Sequence, residues 1–317
     1  MKKNLKSNIL WLALLLLLFG VLSALEIVGV INPFVATTLC QIGINIILAV
    51  GLNLIIGFSG QFSLGHAGFM AIGAYSGAII GTSIPTYAGF FLSVLVGMVL
   101  SGIVAFVVGY PTLRLRGDYL AIATLGVSEI IRIMIINLKD ITNGPAGLFG
   151  IPPFTSWQMV FILMVVTTIF TMNMLRSKTG RAILSVREDE IAAESMGVNT
   201  TKFKVLAFVF GAITASIAGS LQAGLIQTVT PKDFSFMKSI DILIIVVFGG
   251  MGSMTGTIVA AVTLGLLNNF LQDFSDLRMI IYSLAIILVM ILKPSGLLGN
   301  KELSLSKIFT KKEEKKA

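Results

Sequence analysis

Residues 38–66 read TLCQIGINIILAVGLNLIIGFSGQFSLGH. The first nineteen carry no charged side chain, and a helix needs about 20 such residues to cross the hydrocarbon core of a bilayer. The last ten instead contain three glycines, several hydroxyl and amide side chains, and the chain's only histidine. The stretch therefore predicts a membrane span that ends in a polar, glycine-rich corner.

The composition extends this prediction to the whole chain. Of 317 residues, 56% are hydrophobic and only 12% are charged, whereas about a quarter are charged in a soluble domain. We predict an all-α, polytopic membrane bundle of about ten helices, or eight if one pair of spans is absent. The ten apolar segments are 9–25, 35–56, 66–82, 88–110, 119–136, 159–175, 205–226, 240–250, 256–272 and 279–292. The first of them could also be a signal peptide, but the many later spans favour a first helix.

Basic residues indicate the orientation. With the N-terminus in the cytoplasm, 18 of the 23 Lys and Arg residues lie in inner segments and four lie in outer ones. Positive residues concentrate in cytoplasmic loops, so both termini are predicted to be cytoplasmic. The same distribution attributes the net charge of +8 to membrane topology and not to nucleic-acid binding. We predict one transmembrane domain over 1–300 and a charged cytoplasmic tail over 301–317.

The hydrophilic loop, residues 176–204, has the pattern of a structured element. Ser185 and Glu188 fit a capping box, and Gly197 suits a helix C-terminus, which together predict a short helix between them. Small apolar residues ringed by charge indicate docking of a soluble partner, although a solvated helix without a partner would have the same pattern. The candidate docking residues are Arg187, Glu188, Glu190, Ala192, Ala193, Glu194 and Gly197.

Polar residues within the spans are candidates for a substrate path or gate. They are Asn53, Ser59, Gln61, Ser63, Gly65, His66, Glu129 and Arg132. The hydroxyl, amide and imidazole groups of 59–66 are expected to satisfy backbone groups freed where the helix unwinds. Glu129 and Arg132 could line the path or form a structural ion pair, and we favour the pair. His66 could relay protons, but a structural hydrogen bond is the expected role.

Other membrane-embedded residues predict helix packing. Asn and Gln side chains in spans commonly form interhelical hydrogen bonds, which we expect for Gln41, Asn45, Asn53, Asn268 and Asn269. Small residues four apart, Gly73 and Gly77 and the set Gly211, Ala215 and Gly219, predict close helix contacts. A second glycine corner, FGGMGSMTG at 248–256, is predicted on the same side as the first and suggests a duplicated core.

Several motifs resemble those of a known family. EIAAESMG at 190–197 resembles the EAA signature of bacterial ABC importer permeases, which inserts into a cleft of the ATPase subunit. Other segments are similar to branched-chain amino acid permeases of the LivM/LivH type, and favour the LivM branch. They are GLNLIIGFSGQFSLGHAGFMAIGAYSGA at 51–78, GDYLAIATLGVSEIIRI at 117–133, NGPAGLFGIP at 143–152 and FGGMGSMTGTIVAA at 248–261.

The resemblance implies the permease subunit of an ATP-driven importer for leucine, isoleucine and valine in a bacterial inner membrane. Its partners would be a LivH-like second permease, two ATP-binding subunits and an extracytoplasmic substrate-binding protein. The chain itself is expected to be no enzyme and to hold no metal or cofactor, since it lacks a GxxxxGK[ST] loop and ATP would be used by partner subunits. Importers of urea, short amides or other amino acids, and a self-sufficient secondary transporter, are the alternatives.

Overall fold

The computed structural model describes residues 2–29, 31–115 and 117–271, together with 283–284, 287, 291, 293 and 296–299. Its elements are α1 (Lys2–Ile27), α2 (Pro33–Asn53), a π-helical turn (Leu54–Phe58), α3 (His66–Ser83), α4 (Tyr87–Thr112), α5 (Asp118–Asn137), α6 (Lys139–Thr142), β1 (Leu148–Phe149), α7 (Trp157–Arg176), α8 (Lys178–Glu188), α9 (Glu190–Ser195), α10 (Thr200–Ile226), β2 (Thr228–Val229), α11 (Phe236–Gly249) and α12 (Met254–Phe270). Short 3₁₀ turns cover Gly144–Ala146 and Pro231–Phe234. The fold is therefore helical, with one antiparallel ladder of two-residue strands, β1 and β2.

Helices occupy every predicted apolar segment from 9–25 to 256–272. Within the described residues, five helices are long and apolar enough to cross a membrane: α2 with its π-helical turn, α4, α5, α7 and α10. The number rises to six if α11 and α12, bent by 120° at their junction, count as one broken span. The tenth predicted segment, 279–292, and the predicted tail, 301–317, lie largely or wholly outside the described residues.

The core forms where α3 crosses α10, with α2 and α4 beside them. A Cβ on Gly73 would overlap the Ser216 backbone, and one on Gly219 would overlap the Met70 backbone. The Ser220 hydroxyl donates to the Gly73 carbonyl across this contact at 2.8 Å. The predicted packing through small residues is therefore confirmed, because only glycine lets these two backbones approach so closely.

The central position of α3 explains its polar composition. This helix is 18 residues long, yet it is not among the five strongly apolar ones. It contains glycines, serines, a histidine and a tyrosine, and most of its residues are buried by other helices. Protein surrounds α3, so its residues are not selected for contact with lipid.

Candidate functional site

The first glycine corner, residues 54–65, joins α2 to α3. α2 passes at Asn53 into the π-helical turn, and the chain then leaves helical geometry until His66. Gly60 has φ +70°, a conformation that glycine adopts without strain. The amides of Ser59 and Gln61 donate to the carbonyls of Leu54 (3.1 Å) and Ile55 (3.0 Å), so backbone bonds close the turn.

Within the second glycine corner, residues 248–256, the four residues 250–253 join α11 to α12. Gly250 and Gly252 have φ values of +109° and +90°, and these allow the 120° bend between the two helices. Ser253 begins α12 by accepting the Gly256 amide with its hydroxyl at 3.1 Å, an N-cap. The amides of Leu297 and Leu298 donate to the Phe248 carbonyl (2.8 Å) and the Gly249 carbonyl (3.4 Å), which ties a later segment of the chain to this corner.

Asn53 connects the two corners directly. Its Nδ2 donates to the Ser253 carbonyl at 3.1 Å and to the Thr257 hydroxyl at 2.8 Å, and its Oδ1 accepts the Gly252 amide at 2.9 Å. Asn53, Ser253 and Thr257 are fully buried. One side chain thereby satisfies three polar groups of a segment 200 residues later in the chain. Asn53 was predicted as a path residue and as an interhelical donor, and the second prediction is confirmed.

Arg187 brings the hydrophilic loop to the same place. Its Nη1 donates to the Gly57 carbonyl at 2.7 Å, and its aliphatic stem lies against Gly60, where a Cβ would be 3.2 Å from Cγ. A Cβ on Gly252 would lie 2.9 Å from the same Nη1. The guanidinium of Arg187 therefore lies between the two corners at the end of α8.

The remaining path candidates of the first corner are buried but do not act as expected. The side chains of Ser59, Gln61 and His66 form no hydrogen bond with any residue that the structure describes. Only Ser63 satisfies a backbone group, accepting the Gly65 amide at 3.4 Å. The prediction that all four side chains satisfy the unwound backbone is wrong.

Hydroxyl groups from other helices perform that role. Thr124 of α5 accepts the Leu64 amide, and Ser239 of α11 accepts the Ala67 amide, both at 3.0 Å. A Cβ on Gly65 would overlap the Thr124 carbonyl, which explains the glycine at this position. The start of α3 is thus held from two sides, by residues that no local sequence pattern indicates.

Glu129 and Arg132 form an ion pair one turn apart on α5, with Nη2 and Oε2 2.7 Å apart. Both side chains are about one quarter exposed, at 28% and 27%. In the described part of the chain no hydrogen bond or ion pair joins them to either corner. The structure therefore pairs them with each other and does not place them in the corner site.

The hydrophilic loop folds as two helices, and the capping box predicted at Ser185 and Glu188 is wrong. Ser185 lies within α8, where its hydroxyl donates to the Ala182 carbonyl at 2.9 Å, because α8 already begins after Ser177. α9 is capped by Asp189, whose carboxylate accepts the Ile191 and Ala192 amides at 2.9 and 3.0 Å. Gly197 follows with φ +82°, as expected after a helix C-terminus.

Two of the predicted docking residues hold α9 against α10. Lys204 donates to Glu190 at 2.6 Å, and the Thr200 hydroxyl donates to Glu194 at 2.7 Å. Ala193 is buried, which corrects the expectation that both alanines are presented to a partner, whereas Ala192 is exposed. Glu188 is exposed and lies 3.6 Å from the Arg187 Nε.

The exposed apolar surface at α9 includes two residues, Ile191 and Met196, that were not among the candidate docking residues. Ile191 and Met196 are 69% and 84% exposed, on either side of Ala192. These three residues form what we call the α9 patch. Apolar side chains of this size are normally covered in soluble surroundings, and an exposed group of them indicates a contact surface.

Comparison with known proteins agrees with this architecture. The family model described as "Branched-chain amino acid transport system / permease component" matches residues 34–292. The LivM permease proteins of the high-affinity branched-chain amino acid transport systems of Salmonella typhimurium and Escherichia coli are 39% and 38% identical over 227 residues, 61% of this chain and 53% of theirs. The LivH permease protein of Escherichia coli is 30% identical over 148 residues, 46% of this chain and 47% of its own.

This chain spans about half the length of the curated relatives that it matches. The family model nevertheless covers most of the chain, including α2 to α12 and both glycine corners. The family consists of transport permeases, which are multi-pass membrane proteins and not enzymes. The chain belongs to the branched-chain amino acid transport system permease family.

Proposed function

We propose that this chain is the membrane-spanning subunit of an ATP-driven importer for leucine, isoleucine and valine in a bacterial inner membrane. In this proposal the two glycine corners form the inner gate of the substrate path. The hydrophilic loop receives the movement of a separate ATPase, so the chain itself needs no nucleotide site. The family membership and the similarity to LivM and LivH support the class of substrate.

The observation that carries the proposal is the position of Arg187. It belongs to the loop that would contact the ATPase, yet its guanidinium is bonded to the first corner and lies beside the second. A displacement of α8 and α9 must therefore move or break a contact at the point where the two glycine corners meet. Such a link is what a transporter needs to convert movement of a soluble subunit into opening of a gate.

The proposed topology has about ten transmembrane helices, with both termini in the cytoplasm. The distribution of basic residues supports it, since the hydrophilic loop and both chain ends carry most of them. Both corners then lie at the cytoplasmic side, together with α8 and α9. Residues 1–300 form one transmembrane domain, and 301–317 form a cytoplasmic tail.

The proposed assembly contains a LivH-like second permease, two ATP-binding subunits and an extracytoplasmic substrate-binding protein. Ile191, Ala192 and Met196 are the residues that we assign to ATPase contact, with Glu188 at the edge. Glu190, Glu194 and Gly197 shape the loop, and Ala193 supports it from inside. Arg187 transmits the movement.

Uptake by cells tests the function. Deleting the gene should abolish high-affinity uptake of labelled leucine, and re-expressing the chain with its partners should restore it. Competition should follow substrate class, with unlabelled valine reducing leucine uptake and urea leaving it unchanged. Restored uptake that is competed by urea would instead assign the chain to an importer of short amides.

The α9 patch gives a prediction about assembly. Replacing Met196 with glutamate should reduce co-purification of the ATPase about fivefold, because it places a charge in an apolar contact worth about 1–2 kcal/mol. The protein should remain in the membrane at normal levels, since this side chain is 84% exposed. Pull-down from solubilised membranes measures the ratio of ATPase to permease.

Lys202→Glu is the matched control for this experiment, since Lys202 is exposed in the same loop and lies outside the patch. It should leave the ratio unchanged. Equal losses in both variants would indicate a general charge effect. An unchanged ratio for Met196→Glu would remove the patch from the ATPase contact.

A further inference from the structure

Five Asn and Gln side chains in the spans are expected to form hydrogen bonds between helices. Among the described residues, Asn53 alone does so. Asn53 forms its three bonds at the corners. Gln41, Asn45, Asn268 and Asn269 form no side-chain hydrogen bond with any other residue that the structure describes. These four residues lie together instead, along one groove between α2 and α12.

The groove begins at the start of α2 and continues toward the middle of the helix. Thr37, Gln41 and Asn45 are four residues apart and share one face of α2. Asn45 is twelve residues after Pro33, which is about 18 Å along the helix. Asn268 and Asn269, near the end of α12, face this row.

Close packing of the two helices closes one side of the groove. Gly265 lies against Ile42, where a Cβ would be 2.6 Å from the Ile42 Cγ1. The groove is open along one side and has a volume of about 530 Å³, within the range of sites for small molecules. α2 runs from this groove into the first glycine corner, beside which the hydrophilic loop lies. The groove is therefore at the opposite end of α2 from the hydrophilic loop.

Among the residues that the structure describes, the four carboxamides of the groove have no hydrogen-bond partner, whereas its two threonine hydroxyls do. The hydroxyls of Thr37 and Thr38 donate to the carbonyls of Pro33 (2.9 Å) and Phe34 (3.0 Å) in their own helix. The four carboxamides therefore supply the available donors and acceptors, beside apolar walls from Phe34 and Ile42. Each carboxamide can donate to a carboxylate and accept from an ammonium group, and none of them carries a charge.

Contact with lipid does not suit these residues. Polar side chains at membrane depth are costly unless they meet protein or water, and a position about 18 Å along the helix lies beyond the headgroup layer. A small zwitterion with an apolar side chain matches both the paired hydrogen-bonding groups and the apolar walls. A neutral site of this kind can also release a zwitterion, because no salt bridge must be broken.

We propose that the groove between α2 and α12 is the part of the substrate path farther from the hydrophilic loop. There the carboxamides of Gln41, Asn45 and Asn269 bind the ammonium and carboxylate groups of a free amino acid. This inference rests on the proposed function, because it identifies where the transported molecule travels. In this arrangement a substrate enters the path at the groove, and the gate lies at the two glycine corners.

Cysteine accessibility tests the groove in whole cells. Asn45→Cys should react with a membrane-impermeant, cationic thiol reagent added from outside, and 1 mM leucine should slow the reaction at least threefold. The wild-type chain provides the blank, because its only cysteine, Cys40, is buried. Val99→Cys, at an exposed apolar position within α4, should stay unlabelled because it faces lipid.

Substitutions of similar volume provide a second readout. Gln41→Leu and Asn45→Leu should each raise the KM for leucine uptake about tenfold with protein levels unchanged. Asn137→Leu is the matched control, because among the described residues the Asn137 side chain bonds within its own helix, to the Ile133 carbonyl at 3.0 Å. Its KM should equal that of the wild type.

Two results would overturn the inference. An Asn45→Cys chain that is not labelled would mean that another part of the chain or a partner subunit covers the groove. Labelling that leucine does not slow, with normal KM values for the leucine variants, would mean a water-filled crevice outside the path. Leucine uptake by the wild-type chain is measured in the same cells, so failure of the proposed function is seen separately.

Discussion

Replacing Arg187 with alanine should reduce leucine uptake tenfold or more, while the chain remains in the membrane with its ATPase bound. The substitution removes the hydrogen bond to the Gly57 carbonyl and the stem that packs on Gly60. A hydrogen bond from a charged group contributes about 1.5–3 kcal/mol, which corresponds to a factor of roughly 10–150 in an equilibrium. The loop would then move without moving the corners.

Reconstituted transporter distinguishes this loss of coupling from a loss of assembly. ATP hydrolysis should persist in the Arg187→Ala complex, so the number of leucine molecules moved per ATP should fall. Arg187→Lys should retain part of the activity, since lysine keeps the charge but has no planar fork to hold the same geometry. Arg181→Ala removes an equal charge from an exposed position of α8 and should transport normally. Normal uptake by Arg187→Ala would refute the proposed link.

Replacing Asn53 with leucine should lower the unfolding temperature by about 5–10 °C and abolish most of the uptake. The change leaves the Gly252 amide without its acceptor, and the Thr257 hydroxyl without the donor that Asn53 supplies. Buried polar groups left without partners cost about 1–3 kcal/mol each, and 1 kcal/mol corresponds to roughly 2–4 °C in a chain of this size class. The leucine side chain also cannot hold the two corners together.

The chain contains its own probe for this measurement. Cys40 is the single cysteine and is buried, so a thiol-reactive dye should report its exposure as detergent-solubilised protein unfolds. Thr257→Val removes two bonds, the one from Asn53 and the donation of the Thr257 hydroxyl to the Ser253 carbonyl, where Asn53→Leu removes three, and it should lower the transition by a smaller amount. A wild-type transition in the Asn53→Leu protein would show that the bonded corners do not contribute to stability.

The sequence predicts the helices well, because long apolar runs in a membrane have few alternative structures. Backbone groups in hydrocarbon must be satisfied within the segment, so a run such as 205–226 becomes a helix wherever it packs. Close packing was also predictable for Gly73 and Gly219, because small residues at membrane depth have few other uses. These properties depend on local composition, which a single sequence provides.

The hydrophilic loop shows where local patterns fail. Ser185 and Glu188 fit a capping box, but Ser177 starts a helix eight residues earlier, and once α8 is formed Ser185 is an interior position. Asp189 then caps α9, although the neighbouring sequence contains several other acidic residues that could equally have been the N-cap. The residue at which α8 begins and ends decides which acidic residue caps α9, and no single motif contains that information.

The bonds at the corners could not be predicted for a different reason. Asn53 was singled out by its position, but its partners are separated from it by about 200 residues of sequence. Any of several hydroxyl groups near the second corner could have faced it. For the same reason, the grouping of Gln41, Asn45, Asn268 and Asn269 in one groove follows only from the way α12 lies against α2.

The three hydrogen bonds of Asn53 also affect how often transported amino acids leak backward through the inner gate. Intramolecular hydrogen bonds contribute about 1 kcal/mol each after exchange with water, so three of them hold the corners together by roughly 3 kcal/mol. If the corners close the inner gate as proposed, thermal motion alone would part them in somewhat less than one molecule in a hundred. An importer that accumulates amino acids against a gradient must lose few of them backward, and a single asparagine would set much of that limit.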